Sequence, residues 1–362
     1  MLIEIGKDIV ESAKRKEETA LRTLNYLGMA YRNRKHIVYA EQPLLTELIN
    51  LKDLLPETRS VFLYIKGKMS TVILPLRDFL NFRTKLMLTG RSERLPDLLL
   101  MNLNDFKDFE LYEEAHLLSE NIFDCKFYKQ IGLHYLINNK INEVSINLFP
   151  LQGGGATSCK VYKEEAESKQ HYCLAILDSD KGFPSCKKKK DTTYDKVNKV
   201  DENMHPVNCK CECLKYSREV ENLIPSAYLK RKYNDKDLIK AKIDLSYIDL
   251  KSGLLPKILW FNEAISYYKK LFSNVPAVLA EINRYEALKT TKKNKDDYCK
   301  DVKDQSIING LGDKIIELFL DENPDNSISL MLPDNNNQHR DWEIMGRLIV
   351  QWCCAPIIVS TI

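Results

Sequence analysis

The sequence predicts an α/β protein, a central parallel sheet set between mostly helical N- and C-terminal flanks. Three observations carry this. Strand-like and helix-like runs alternate between about residues 113 and 228. Helical spacing of apolar residues dominates on both sides. The composition, 44% hydrophobic and 29% charged, is that of an ordinary globular chain. At 362 residues, two or three domains are expected.

In residues 1–112, IVESAKRKEETALRTLNYLGMAYRNR places apolar residues three and four apart among charges, an amphipathic helix pattern. SVFLYIKGKMSTVILPL reads as two short strands around a turn at Lys66-Gly67-Lys68. This module carries no acid cluster or glycine loop, so its role stays unassigned. In 113–228, HLLSE is a short strand, NIFDCKFYKQIGLHYL a helix and EVSINLFPL a second strand running into Gly153-Gly154-Gly155. TSCKVYKEEAESKQ is a helix and HYCLAILDSD a third strand. That β-α-β-α-β order predicts parallel pairing. Residues 182–215 form a Lys- and Cys-rich insertion. Residues 229–362 are mostly helical, with a break at TTKKNKDDYCK and a polar loop at PDNNNQHRD. The tail LIVQWCCAPIIVSTI is too short to span a membrane and reads as a buried strand or helix, with Trp342 and Trp352 in the C-terminal core.

Lys plus Arg number 54 and Asp plus Glu 51, a net charge of +3 that excludes binding through bulk charge alone. The start, MLIEIGKDIVESAKRKEE, has no apolar signal core, so a cytoplasmic protein with reduced thiols is expected.

The chemistry concentrates at strand ends. Asp178 and Asp180 follow CLAIL, and on a continuing strand both would face one side. At the C-terminal edge of a parallel sheet they would suit Mg²⁺ or Mn²⁺; an Asx turn or helix cap is the plainer alternative. Glu120 ends HLLSE and Asp124 lies in the next helical turn, where dipole complementation is the alternative. Glu219 and Glu221 in SREVENLIP share a face if extended and diverge if helical. Arg218 beside them would pair with an acid or a phosphate.

LLSENIFDCKFY, INLFPLQGGGAT, CLAILDSDKG and REVENLIP together resemble a Toprim domain, in the variety found in overcoming-lysogenization-defect (OLD) nucleases and related phage-defence effectors. The resemblance covers about 110 residues, under a third of the chain. It implies Glu120, Asp124, Asp178, Asp180 and one or both of Glu219 and Glu221 as ligands of one or two Mg²⁺ or Mn²⁺ ions. It also implies a Lys near the metals, with Lys181 the first candidate and Lys251 a later one. The implied activity is metal-dependent endonucleolytic cleavage of DNA. OLD proteins carry an ATPase ahead of their Toprim half; no G-x-x-x-x-G-K-[ST] loop occurs here, so an ATPase or sensor would be a separate partner.

Seven lysines, 181, 187–190, 196 and 199, face only Asp191 and Asp195 just after the Asp-x-Asp pattern. Lys187, Lys188, Lys189 and Lys190 read as phosphate contacts or as a solvated loop. His205, Cys209, Cys211 and Cys213 offer a zinc set, although Cys-x-Cys-x-Cys is tighter than a usual knuckle and alternate cysteines can equally line a buried strand. Zinc is the lesser expectation. His36, His116, His134 and His171 lie in or beside apolar runs and read as core or surface residues, and His339 falls in the polar loop. The alternatives are an RNA or tRNA endonuclease of the same fold, a catalytically inactive nucleic-acid-binding assembly subunit, and a metal-dependent phosphohydrolase of free nucleotides. A membrane partner is not expected, and homo-oligomerisation is left open.

Overall fold

The structure is a computed structural model that describes residues 1–106, 109–186, 191–303, 305–323 and 336–357. The chain folds as two compact units. The first comprises residues 1–176, 196–212 and 344–362; the second comprises 177–195 and 213–343.

The N-terminal segment is itself α/β. Strand β1 (Leu2–Ile5) precedes helices α1 (Lys7–Lys14) and α2 (Glu18–Arg32), then β2 (Ile37–Tyr39). The predicted single helix is broken at Lys16, whose φ of 63° is left-handed. Helices α3 (Gln42–Asn50), α4 (Pro56–Lys68) and α5 (Leu74–Leu80) lead to β3 (Arg83–Met87), β4 (Glu93–Arg94) and β5 (Leu98–Asn102). Their sheet has the order β2-β1-β3-β5-β4, parallel except for the edge strand β4. Helical crossovers are what parallel neighbours require.

The expected hairpin at 60–76 is not there: α4, a π-turn over Met69–Ile73 and α5 occupy it. Its buried residues, Thr58, Val61, Phe62, Ile65, Met69, Ile73, Leu76 and Leu80, recur at intervals of three and four. That helical period outweighs the local turn propensity of Lys-Gly-Lys. Pro56 sits in the first turn of α4, where a missing N–H is harmless, and Pro75 directly follows the π-turn.

A second sheet follows. Strand β6 (Ala115–Ser119) leads into α6 (Ile122–Asn138), then β7 (Val144–Ile146) and β8 (Leu148–Gln152). EVSINLFPL is therefore two strands in different sheets, divided at Asn147. Helix α7 (Ser158–Ser168) and β9 (Cys173–Leu177) come next, then α8 (Thr193–Met204) and β10 (Cys209–Cys213). The order is β10-β9-β6-β8, with β6 parallel to both β8 and β9, as the sequence predicts.

The second unit is largely helical: α9 (Ser226–Lys232), α10 (Asp237–Lys240), β11 (Gly253–Leu254), α11 (Asn262–Leu271), α12 (Pro276–Thr290), α13 (Lys295–Asp301), β12 (Ile308–Asn309) and α14 (Ile315–Glu322). Of the expected Lys-rich break, only residues 291–294 separate α12 from α13, and the rest is helical. Helix α15 (Asn336–Cys353) begins inside the expected polar loop, so His339 is an exposed helical residue. Residues 333–335 of that loop lie outside the described residues. Strand β13 (Cys354–Pro356) pairs antiparallel with β7. Trp342 and Trp352 are buried, as expected. Among the described residues no helix is long and apolar enough to cross a membrane.

Gly67 separates the two readings of 60–76. It is exposed, and a Cβ there meets nothing within 4 Å. Gly67→Ala is therefore expected to stabilise the protein by about 0.5–1 kcal/mol in urea denaturation, as alanine does in a helix. A turn glycine would give a loss instead.

Candidate metal centre

Asp178, Glu219 and Glu221 bring one carboxylate oxygen each to within 4.8 Å of one another, all in the second unit. Short backbone hydrogen bonds produce this convergence. Ser179 N and Asp180 N both donate to Arg218 O, at 2.9 and 3.0 Å. Ser179 Oγ donates to Ser217 O at 2.7 Å. The loop after β9 is thus tied to residues 217–218, and Val220 N donates to Asp178 Oδ1 at 2.9 Å.

Glu219 and Glu221 meet through a bend that neither the extended nor the helical reading contains. Glu219 is extended, with φ −144° and ψ 167°, and caps a 3₁₀ turn over Val220–Leu223 that carries Glu221. The change of backbone at the cap redirects the second side chain. Asn222 braces the turn: its Oδ1 accepts from Glu219 N, and its Nδ2 donates to the carbonyls of Leu245 and Ile248. Leu250 N in turn donates to Glu219 Oε1 at 3.1 Å.

These bonds bring Lys251 into the site. Its ammonium lies 2.9 Å from Glu221 Oε1. Burial opposes its charge, yet Glu221 and then Glu219 outweigh that and hold it well above the usual lysine range. Arg218 lies 3.6 Å from Glu219 and 3.2 Å from Asp249. Burial works against its charge too, but Glu219 and Asp249 raise it.

Glu219 and Glu221 are only 5% and 4% exposed. Burial, reinforced by the charge of Glu221, pushes Glu219 up to about 8. Glu221 Oε2 is closed to solvent and has no hydrogen-bond partner among the described residues. A buried carboxylate oxygen without a donor is costly unless a cation or proton reaches it. An oxygen-only set of this kind fits Mg²⁺ or Mn²⁺, which favour carboxylates and water.

The other expected ligands are placed differently. Asp180 is not in the converging group. The strand ends at Leu177, and the left-handed φ of 53° at Asp180 breaks the alternation that would have aligned it with Asp178. Its charge acts on Arg218. Lys181 Nζ donates to Lys215 O at 3.1 Å. Glu120 and Asp124 belong to the first unit. Asp124 closes a capping box on α6: Asn121 N donates to its Oδ2 at 2.9 Å, and Phe123 N donates to Asn121 Oδ1 at 3.1 Å. Gly154 N donates to Glu120 O at 3.0 Å. Gly154 and Gly155 have φ of 69° and 61°, so glycine is what lets the chain turn there.

Cys209, Cys211 and Cys213 alternate along β10, with Cys209 and Cys211 buried. With His205 they are not among the converging ligand groups found in the described residues. Lys187, Lys188, Lys189 and Lys190 lie outside the described residues.

Sequence reasoning missed Asp249 and ranked Lys251 behind Lys181. The spacing Asp249-x-Lys251 was visible, but only the folded 245–251 segment carries both to Arg218 and Glu221. Family models, curated proteins and solved structures were each compared with the chain, and none matches.

The raised Glu219 gives a pH signature in the metal-free protein. Its folded pKa lies above the ordinary value of 4.5, so the stability it contributes is full below about 4.5 and is lost as pH rises through about 8. Thermal melts in chelator should show wild type losing stability across that window. The slope of one proton is at most about 1.4 kcal/mol per pH unit. Glu219→Gln should flatten it, and parallel curves for the two proteins would contradict the assignment.

Proposed function

We propose that the protein is a metal-dependent endonuclease that hydrolyses DNA phosphodiesters. The observation that carries this reading is the convergence of Asp178, Glu219 and Glu221 beside the Lys251 ammonium. When bound, a divalent ion supplies Lewis-acid activation of water and of the phosphoryl oxygen. The chain's own groups do the rest. Asp178 and the two glutamates hold the ion, Val220 N and Leu250 N fix the orientation of Asp178 and Glu219, and Lys251 offsets negative charge on the scissile phosphate. Arg218 limits repulsion among the acids, and Asp249 fixes Arg218 in turn.

A second observation supports a polyanionic substrate. A cavity of about 1120 Å³ is lined by Asn222, the residue after Glu221, and by Lys230, Lys240, Lys242 and Arg340, with Asp244 the opposing acid. The basic stretch KRKYNDKDLIKAK supplies three of those cations. Such a lining suits phosphates whatever the base sequence. Asp180 stays in the proposal as a ligand through the Toprim resemblance alone. A role in phage defence with a separate ATPase or sensor rests on it equally.

The deciding experiment incubates purified protein with plasmid DNA and, separately, total tRNA, with Mg²⁺, Mn²⁺ or EDTA. Plasmid cleavage that EDTA abolishes is expected, with Asp178→Ala and Lys251→Ala each slower by about 10²–10³-fold. Undiminished cleavage by Asp178→Ala would sink the site, and cleavage of tRNA alone would reassign the substrate to RNA. Replacing Lys240 and Lys242 by Gln should weaken DNA binding and lower its salt slope by about one for each phosphate no longer neutralised, read by fluorescence anisotropy across ionic strength.

A further inference from the structure

The first unit contains a second convergence of ligating groups, chemically unlike the carboxylate cluster. His116 lies on β6, Glu165 on α7, and His171 in the turn between α7 and β9. One ligand atom from each falls within 4.8 Å of the others. His116 Nδ1 is 3.2 Å and His171 Nδ1 3.9 Å from the same Glu165 oxygen, Oε2.

The two atoms at the centre of this arrangement are shut off from water. His116 Nδ1 and Glu165 Oε2 are both closed to solvent and lie 3.2 Å apart as an ion-pair contact. Donors sharing one tetrahedral zinc sit about 3.3 Å apart, because each bond is about 2.0–2.1 Å long.

The surroundings are those of a braced ligand set. His171 Nε2 is 3.1 Å from Glu110 Oε2, an outer carboxylate that would fix the ring with Nδ1 facing inward. Glu110 is itself held by its backbone N–H, which donates to Gln170 O. Buried Asn208 donates through Nδ2 to the carbonyls of both Glu165 and His171, at 3.0 and 2.9 Å. His116 N donates to Tyr172 O at 2.7 Å, which locks β6 to the residue after His171.

We infer that His116, His171 and Glu165 form a binding site for a divalent transition-metal ion, zinc foremost, with Glu110 positioning His171. Imidazole nitrogen selects zinc and its neighbours in the first transition row over Mg²⁺. Three protein ligands leave a fourth tetrahedral position for water or another small ligand. The two rings stack at 4.1 Å between centroids, with 23° between their planes.

The test titrates Co²⁺, a spectroscopic stand-in for zinc, into the full chain after chelator treatment. Excess Mg²⁺ is present to occupy oxygen-only sites. One Co²⁺ per chain is expected, with visible d–d absorption, no thiolate-to-cobalt charge-transfer band, and displacement by Zn²⁺. His171→Gln should weaken binding at least tenfold, and Glu110→Gln by about 10–100-fold. Asp178→Asn should leave the cobalt site intact, so its failure and that of the carboxylate centre are read separately. Glu110 is 42% exposed at its side chain, and its variant carries the test if His171→Gln melts early without metal. Absence of bound cobalt, a thiolate charge-transfer band, or wild-type affinity in Glu110→Gln would overturn the site.

Discussion

Three carboxylates held close together, two of them buried, make up the constraint around which the second unit is arranged. Like charges at such separations repel strongly away from water, and burial adds a desolvation cost of several kcal/mol per ion. The structure answers locally. Arg218 and Lys251 supply positive charge, and backbone N–H groups of Val220 and Leu250 bond two of the acids. Glu219 is raised into the range where it holds a proton near neutrality. Glu221 Oε2 still has no donor among the described residues.

The same constraint explains why the surrounding loops are so heavily tied down. The Val220–Leu223 turn, the loop after β9 and the 245–251 segment are pinned by backbone bonds, such as Arg218 N to Ser246 O, and by side-chain-to-backbone bonds together. Asn222 alone bridges the turn to two carbonyls of the 245–251 segment. Asp341, buried, accepts from Lys215 N and Tyr216 N and so fixes the approach to Arg218. Burial raises its pKa although those backbone donors pull the other way. Acids and amides far apart in sequence thus hold the geometry that a regular strand pair would otherwise supply.

How much of this was legible follows from the range of each interaction. Strands β6 and β9 and helices α6 and α7 could be read because their patterns are local, whereas β7 and β8 ran together as one strand across Asn147. The 60–76 segment misled because Lys-Gly-Lys is a strong local turn signal, whereas the helical period around it shows only over a longer stretch. The acids at 178, 219 and 221 were identifiable by type and order. Their partners were not, since choosing Lys251 over Lys181 depends on a fold-back set by Asn222. The strand rule also failed at Asp180, because it applies only while the strand lasts.

His116 and His171 bear on legibility from the other side. Each sits beside an apolar run, and from one sequence an ordinary packed histidine is the sound reading. What sets them apart is that β6 and the α7–β9 turn bring them to one glutamate, with an outer carboxylate behind one ring. Parallel β-α-β topology makes this coincidence natural: the start of the central strand β6 lies beside the start of its neighbour β9, so residues at strand entries meet across the sheet. Glu120 follows the other end of the same β6, directly after Ser119. Within the first unit, one five-residue strand therefore carries imidazole near its entry and a carboxylate just past its exit.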